Sequence, residues 1–393
     1  MSNTCTCAGI AIVLVSQSLL AGPPAELIGI GRLSGMTSDL SGQTAVLENG
    51  EPHDRFGGIS ALEYTGQGVR YVAVSDRGPD DGATGYLCRF HLLNVHVDAD
   101  AKPPVSISVI GSTMLSNSDG LPFSGMSKAY YPDAECAGRL DPEGCRRGPN
   151  GSLFMSDEYG PSLIQFSKEG REMRRLPLPE HLLIKHPASS KKAENAQNDT
   201  GRSSNKGMEG LAISPDGRVL TGVMQAVLLQ DGRREGRGKP VGRHCRIVQL
   251  NLLTDQSAEF VYQLDATENG LNEILACGDE EFLVIERDGS SGAAARFKKI
   301  MRISTATATD VKQFDRLPAA TLPPSIQPVA KEEFIDFLDP RFGLTDEDVP
   351  EKLEGLTWGP ELEDGRQTLL VASDNDFEPG APTLIYVFAV ESR

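Results

Sequence analysis

Positive charge is scarce in this sequence. Lysine and arginine number 38 against 55 aspartates and glutamates, which leaves a net charge of −17. Such a chain repels nucleic-acid phosphates, so we expect no nucleic-acid partner. Long apolar runs are also missing, because the run at residues 8–15 is too short to cross a bilayer and no other segment is apolar enough. We therefore expect no membrane span.

Several catalytic motifs are absent as well. The six histidines have no zinc-ligand spacing, and neither HExxH nor G-x-S-x-G occurs. No glycine-rich nucleotide loop is present. Residues 203–206 match S-x-x-K and residues 373–375 match S-D-N, but no K-T-G follows, so a serine acylase is not predicted. The carboxylates are therefore the main candidates for catalysis or ligand binding in this sequence.

The first residues predict export. Residues 1–25 combine the short apolar run with small residues near Ala21, as a secretory signal does; the alternative is a frayed N-terminal strand. A secreted or periplasmic protein is expected, with residues 26–393 as one domain and as a monomer. Five cysteines would remain, and Cys136 and Cys145 share a Gly/Pro-rich loop in which we predict a disulfide.

One phrase recurs five times along the chain: turn residues, a short apolar strand, and a polar strand end. The strand ends fall at residues 76, 157, 225, 286 and 374, at intervals of 81, 68, 61 and 88 residues. Repetition of this kind, with short strands and Gly/Pro turns, indicates a radial all-β architecture. We predict an all-β fold, a β-propeller of six blades rather than five or seven, since 367 residues from Leu27 give about 61 for each of six.

The remaining segments fit this architecture. Residues 27–56 predict an opening strand that closes the ring by completing the last blade. Residues 86–110 predict outer strands of the first blade. Short helices are expected at 180–185 and 331–338, and a mobile loop at 187–204. The Arg/Lys-rich residues 231–243 predict a solvated hairpin tip, with a rim that attracts phosphate as the alternative.

Acidic residues recur at the start or end of the predicted inner strands. They are Glu143, Asp157, Glu158, Glu209, Glu273, Glu286, Asp288, Glu354, Asp374 and Asp376. In a propeller these ends gather around the central channel, where converging carboxylates repel one another unless a cation lies among them. Oxygen ligands favour Ca²⁺ or Mg²⁺. Each acid taken singly has a simpler reading as a turn cap or salt-bridge partner.

Basic residues stand beside these acids. Arg77, Lys206 and Arg287 are either strand-end salt-bridge partners or a clamp for an anion, to which the planar arginine fork is suited. Tyr159 is either packed against its neighbours or a hydrogen-bond donor to that anion.

At these residues the sequence resembles the phytase-like family, the proteins with an "esterase-like activity of phytase" domain. The matching phrases are GGISALEY with YVAVSDRGP, SDEYGPSLIQFSKEG, NKGMEGLAISPDG, FLVIERD with FKKI, and EGLTWGP with SDNDF, in the family's order over roughly residues 30–390. The resemblance implies a β-propeller-like fold, an exported bacterial protein and a phosphoester or ester hydrolase. It departs from calcium-dependent propeller phytases at their D-A-x-D-D-P phrase, to which only residues 80–82 come close, so phytate is not predicted as the substrate.

Together these observations predict a calcium-dependent hydrolase of a small anionic phosphate ester. Glu209, Asp157 and Glu158 are the predicted catalytic residues, and Arg77, Lys206, Arg287 and Tyr159 the predicted substrate-binding residues. The predicted Ca²⁺ ligands are Asp157, Glu158, Glu209, Glu286 and Asp374. The alternative is a non-catalytic extracellular propeller, stabilised by calcium, that binds a ligand or partner.

Overall fold

The computed structural model describes residues 25–391, whose regular secondary structure is almost entirely β-strand. The strands, in chain order, are β1 (Ala25–Leu33), β2 (Ile59–Tyr64), β3 (Arg70–Ser75), β4 (Arg89–Val97), β5 (Val105–Met114), β6 (Pro142–Arg147), β7 (Leu153–Asp157), β8 (Ser162–Phe166), β9 (Glu172–Leu176), β10 (Met208–Ile213), β11 (Val219–Met224), β12 (His244–Asn251), β13 (Ser257–Gln263), β14 (Gly270–Ala276), β15 (Glu281–Arg287), β16 (Lys298–Ser304), β17 (Ala330–Asp336), β18 (Lys352–Glu361), β19 (Gln367–Asp374) and β20 (Thr383–Val390). The predicted secretory signal lies outside the described residues, apart from Ala25.

These strands form a β-propeller with five blades. Each blade is a four-stranded antiparallel sheet, and the strand orders are β2-β3-β4-β5, β6-β7-β8-β9, β10-β11-β12-β13, β14-β15-β16-β17 and β1-β20-β19-β18. The prediction of six blades is therefore wrong for the described residues. It divided the chain by its shortest repeat, whereas segments such as 115–141 and 305–329 lie between strands and belong to no sheet.

The innermost strands β2, β6, β10, β14 and β18 stand side by side in a ring. The ring closes through the N-terminal strand: β1 pairs with β20 from Ala25↔Val390 to Leu33↔Thr383, and becomes the outer strand of the fifth blade. This confirms the predicted closure, in which the N-terminal strand completes the last blade. The predicted outer strands of the first blade are confirmed as β4 and β5.

Apolar side chains fill the gaps between neighbouring blades. Five buried clusters join blades 1 and 2, 2 and 3, 3 and 4, 4 and 5, and 5 and 1. Inner strands are buried on both faces, and all eight residues of β20 are buried. No helix within residues 25–391 is long and apolar enough to cross a membrane.

Helical segments are short. They comprise α1 (Pro79–Gly82), α2 (Lys191–Gln197) and 3-10 turns at Glu180–Leu182, Gly292–Ala294, Pro340–Phe342 and Asp346–Asp348. The helix predicted at 331–338 is wrong, because those residues form most of β17. The loop predicted at 187–204 contains α2 instead, whose Glu194 is buried against Arg202 and Arg139.

The predicted disulfide is not formed. Cys136 and Cys145 are both free thiols. Cys145 lies in β6 and packs in the apolar cluster between blades 1 and 2, whereas the Cys136 sulfur accepts a hydrogen bond from Gly138 N in its own loop (3.3 Å). Proximity in sequence misled the prediction because β6 turns Cys145 into the core.

Candidate functional site

Every innermost strand is irregular near its first residues. Each of the five has a shift of register against its neighbour there, which is the mark of a β-bulge. The residues at these shifts are Ser60, Glu143, Glu209, Asn272 and Glu354. Because a bulge re-aims a side chain, one polar group from each blade is available at the same level of the ring. We call these five residues the bulge ring.

The bulge ring lies beside a large polar cavity, here called the acid chamber. Its volume is about 640 Å³, and four of the five ring residues line it, Ser60 being the exception. Eleven carboxylates and five cationic side chains face this space. Further along β6, the buried Arg146 donates hydrogen bonds to the carbonyls of Ile274 (2.8 Å) and Leu356 (3.0 Å), which ties three inner strands together across the channel.

Three acids of the second blade form the tightest cluster. Asp141, Glu143 and Glu158 each present a carboxylate oxygen within 4.8 Å of the others. Arg77 contacts two of them, since its Nη1 pairs with Asp141 and, at 3.0 Å, with Glu158. Burial raises the pKa of Asp141 to about 7. Burial acts in the same direction on Glu158, but Arg77 and Arg202 more than offset it and lower that pKa to about 2.

Glu143 and Glu209 differ from the other acids of the chamber. Within residues 25–391, we find no N–H or hydroxyl donor hydrogen-bonded to either carboxylate. Burial, and then each other's charge and that of nearby acids, raise the pKa of Glu143 well above its usual value. Burial, Glu158 and Glu354 do the same to the pKa of Glu209. The surroundings of these two acids therefore favour a bound proton or a nearby cation.

The cationic side chains around this cluster differ in how far carboxylates already pair with them. Arg77 is enclosed by carboxylates, and Arg287 donates to Glu354 (2.9 Å). The ammonium group of Lys206 forms no ion pair within residues 25–391. Burial lowers the pKa of Lys206, while Glu209 acts in the opposite direction. Among residues 25–391, Lys206 is thus the cation of the chamber lining that has no carboxylate partner.

A second charged group lies on the wall made by the fifth blade. Lys352 pairs with Asp374 (2.7 Å) and with Asp376, and both Lys352 and Asp376 face the chamber. Burial, followed by the charge of Asp374, raises the pKa of Asp376 to about 6 and that of Asp76 well above its usual value. Sequence reasoning did not single out Lys352, although its place at the start of an inner strand matches that of the acids.

The backbone is strained around the chamber. Four non-glycine residues that line it have positive φ: Asp80 (60°), Asp81 (54°), Asn205 (56°) and Asp376 (50°). Left-handed conformations of such residues cost energy and gather at functional sites. Only two further non-glycine residues of the described chain, Asp255 and Phe377, share this conformation.

The structure brings together five of the predicted site residues. Arg77, Glu158, Lys206, Glu209 and Arg287 all line the acid chamber. Asn272 and Asp141 are additions that the sequence reasoning did not single out. Their common signal is position, immediately before or within the bulge at the start of an inner strand.

Four predicted site residues are engaged in other contacts of the protein. Asp157 accepts hydrogen bonds from Asp141 N (3.0 Å) and Ser162 Oγ (2.9 Å). The Tyr159 hydroxyl donates to the Gly125 carbonyl (2.7 Å). Glu286 accepts from Tyr262 (2.7 Å) and pairs with Lys331 (3.1 Å), and Asp374 pairs with Lys352.

The donor set of the cluster suits a hard cation. Asp141, Glu143 and Glu158 offer only carboxylate oxygens, and such oxygens are the ligands of Ca²⁺ and Mg²⁺ rather than of soft metals. Glu209 neighbours Glu158, whose charge and hydrogen bond both favour the protonated form of Glu209 and raise its pKa. This buried cluster could hold a metal ion.

Comparison with known proteins agrees with the fold and with the family resemblance. The family model described as Phytase-like, "Esterase-like activity of phytase", matches residues 54–377. A relative in Arthroderma benhamiae is 26% identical, with 68% of this chain and 67% of the relative covered, and is described as an uncharacterized secreted protein.

Several solved structures are similar to this chain, although their sequences differ widely from it. A luciferin-regenerating enzyme is 11% identical, with a TM-score of 0.35 and coverage of 85% of this chain and 80% of the other. Virginiamycin B lyase from Staphylococcus aureus is 11% identical, with a TM-score of 0.35 and coverage of 92% and 99%. A gluconolactonase from Xanthomonas campestris is 9% identical, with a TM-score of 0.37 and coverage of 95% and 99%. Likeness at this level carries no argument about their sites.

Proposed function

This chain belongs to the phytase-like family, and from that premise we propose that it is an exported, calcium-dependent hydrolase of a small anionic phosphate ester. The observation that carries the proposal is the pair Glu143 and Glu209, two buried acids of the acid chamber that accept no hydrogen bond from an N–H or hydroxyl group of residues 25–391. A catalytic propeller that recruits a divalent cation needs carboxylates in this state. Export is supported by the description of the relative as secreted.

We assign the ion to Asp141, Glu143, Glu158 and Glu209. The first three are mutually within reach of one ion, and Glu209 joins them through Glu158. A bound Ca²⁺ would supply the positive charge that attracts the ester and polarises its phosphoryl group. Asp157, Glu286 and Asp374 are left out of this set, because they belong neither to the cluster of three acids nor to the lining of the acid chamber.

The cationic residues have separate tasks in this scheme. Lys206 binds the phosphoryl group, since its ammonium has no competing ion pair and it faces the chamber beside Glu209. Arg287 supports this contact from the fourth blade while it pairs with Glu354. Arg77 acts as a positioning residue that holds Asp141 and Glu158 side by side.

Hydrolysis of a chromogenic phosphate ester by the mature chain, stripped with EDTA and then reloaded with calcium, tests the proposal. We expect turnover only after calcium is restored. In Lys206→Gln, we expect KM to rise at least tenfold, because one charged hydrogen bond to an anion is worth about 1.5–3 kcal/mol. Turnover that survives exhaustive EDTA treatment would contradict the metal scheme and indicate a protein nucleophile.

The second candidate is a non-catalytic extracellular propeller that is stabilised by calcium. The observation that favours it is the extent to which Arg77, Arg287 and Lys352 are already paired with carboxylates. Under this alternative, calcium raises the melting temperature but no ester in a panel of phosphate and carboxylic esters is turned over. Calcium-dependent turnover of any ester would reject this alternative.

A further inference from the structure

A second pocket, here called the lysine pocket, adjoins the acid chamber. It has a volume of about 340 Å³ and shares one wall with the chamber, made by Lys191, Asn205 and Lys206. Its other walls come from α2 and from the hairpin at 231–243.

Charge in the lysine pocket is of one sign. Five cationic side chains line it and no carboxylate does; the lining cations are Lys191, Lys192, Lys206, Arg237 and Lys239. In a chain of net charge −17, this is the opposite of the average surface. The mutual repulsion of these groups costs free energy that an anion would recover.

Most lysines of this protein are paired, whereas three of the four in the pocket are not. Of the thirteen lysines, eight form an ion pair within residues 25–391. Lys192, Lys206 and Lys239 are three of the five that form none. Lys239 also lies close enough to Lys206 to act on it electrostatically.

The hairpin that carries Lys239 is fixed in place. Arg234 donates to the carbonyls of Asn195 and, at 3.0 Å, Asn198, and Arg237 donates to the Ala196 carbonyl (2.6 Å). These bonds satisfy carbonyls at the C-terminal end of α2, which otherwise have no helical partner. Protein contacts therefore hold the two walls of the pocket, α2 and the hairpin, against each other without a ligand.

We propose that the lysine pocket binds a second anionic group of the same ester whose phosphoryl group enters the acid chamber. The substrate class is then a molecule with two anionic groups, separated by the width of the wall that Asn205 and Lys206 form. This inference rests on the proposed function for the first group only. The second group is recognised by Lys192 and Lys239, which take no part in the acid chamber.

Calorimetric titration with non-hydrolysable probes tests the inference without any turnover. Methylphosphonate offers one anionic group, and a series of α,ω-alkylene bisphosphonates offers two at increasing separation. For the wild-type chain loaded with calcium, we expect at least one bisphosphonate to bind more than tenfold tighter than methylphosphonate. In Lys192→Gln/Lys239→Gln this advantage should fall to less than threefold, because each charged hydrogen bond to the second anionic group is worth a factor of about ten.

The matched control is Lys102→Gln/Lys168→Gln. It removes the same two charges from exposed lysines on hairpins at the outer edges of blades 1 and 2, and should leave the bisphosphonate advantage intact. Equal affinities for the two kinds of probe, or an advantage that survives in Lys192→Gln/Lys239→Gln, would overturn the inference. The inference would also be overturned if free inorganic phosphate bound the lysine pocket more tightly than methylphosphonate binds the protein, while no bisphosphonate had an advantage. That result would indicate a separate anion site.

Failure of the proposed function gives a different result. In that case methylphosphonate affinity does not change between calcium-loaded and EDTA-stripped protein. The comparison of the two lysine pairs remains decisive, because it concerns only the second anionic group.

Discussion

At the scale of single residues, Glu209 is the acid whose role separates the interpretations most clearly. Its carboxylate is buried among Glu158 and Glu354 with Lys206 as the one nearby cation. We expect Glu209→Gln to lower the affinity for calcium at least tenfold in a calorimetric titration. Stability in EDTA should not fall and should rise slightly, because one member of a mutually repelling group is neutralised.

Glu286→Gln is the matched control for that experiment. Glu286 is equally buried, but it accepts hydrogen bonds from Tyr262, Asp265 N and Asn269, and pairs with Lys331. This change should cost about 1–3 kcal/mol of stability and leave calcium affinity unchanged. If Glu209→Gln behaved in the same way, Glu209 would be a structural residue.

His91 is a second residue with a defined consequence, here for pH. It is buried, and its Nε2 lies 3.1 Å from Ser75 Oγ, which itself donates to the Gly57 carbonyl. Nε2 must therefore donate, so the ring is the neutral Nε2-H tautomer. Burial, and then Arg89, lower the pKa of His91 to about 3.

Stability should respond to this shift on the acid side. The folded-state pKa lies below the unfolded value near 6.5, so the unfolded chain takes up the proton first as pH falls from 6.5 to 3. By pH 4, His91 lowers the free energy of unfolding by roughly 3 kcal/mol, and above pH 6.5 this loss is absent. Denaturant unfolding at pH 4 and 7.5 should show a difference between the two pH values that is smaller in His91→Gln by that amount. Equal pH dependence of the two proteins would contradict the assignment.

Alternation along a strand explains which site residues the sequence placed correctly. At the ends of β7 and β15, two charged residues follow one another, and consecutive side chains point in opposite directions. Glu158 and Arg287 face the acid chamber, whereas Asp157 is hydrogen-bonded to Ser162 of its own blade and Glu286 to Tyr262 of the third blade. The sequence shows that only one of each pair can face the channel, but the choice between them depends on the bulge and turn geometry.

At the scale of elements, glycine after the acid is what lets the inner strands approach. A Cβ on Gly144 would lie 2.6 Å from Leu211 N of the next inner strand, and one on Gly355 would lie 2.8 Å from Leu62 N. A Cβ on Gly210 would meet the backbone of Glu273 and Ile274. The Glu-Gly pairs thus combine a chamber ligand with close backbone contact to the neighbouring blade.

We therefore expect Gly210→Ala to destabilise the protein by about 1–3 kcal/mol, because backbone atoms cannot yield as flexible side chains do. Calcium affinity should fall too, since the bulge that aims Glu209 must move. Gly111→Ala in β5 is the control: its Cβ would meet nothing closer than Leu92 at 3.7 Å, so stability should change by less than about 0.5 kcal/mol. Unfolding curves of both variants that coincide with the wild type would refute the packing argument.

The segments misread from sequence share a physical cause. Residues 331–338 have helical composition, yet Ile300↔Ile335 pairing places them in a sheet. Residues 187–204 are polar, yet Glu194 is fixed by Arg139 and Arg202. In both cases contacts with distant parts of the chain outweigh local propensity.

At the scale of the whole molecule, the repeat carried more information than the length. The five recurring phrases correspond one to one with the inner strand pairs of five blades, and the closing strand was predicted as well. The blade number was wrong because the chain was divided by its shortest repeat, although long segments between the strands belong to no sheet. The repeat does not determine the compartment, the substrate or the metal. The substrate and the metal depend on the acids and lysines that the blades carry.

The acid chamber is the central feature of the molecule. Carboxylates of several blades converge on it and repel one another there. In the proposed function, a cation at Asp141, Glu143, Glu158 and Glu209 would resolve that repulsion and supply the charge that an anionic ester needs. The lysine pocket would then provide a second point of attachment.

The most direct test is the position of the metal in a calcium-soaked crystal of the mature chain, located by anomalous scattering. We expect a peak in the acid chamber, about 2.3–2.6 Å from carboxylate oxygens of Glu143, Glu158 and Glu209. A peak bound instead by Asp157, Glu286 or Asp374, or a chamber without any peak at calcium concentrations that raise the melting temperature, would contradict the account.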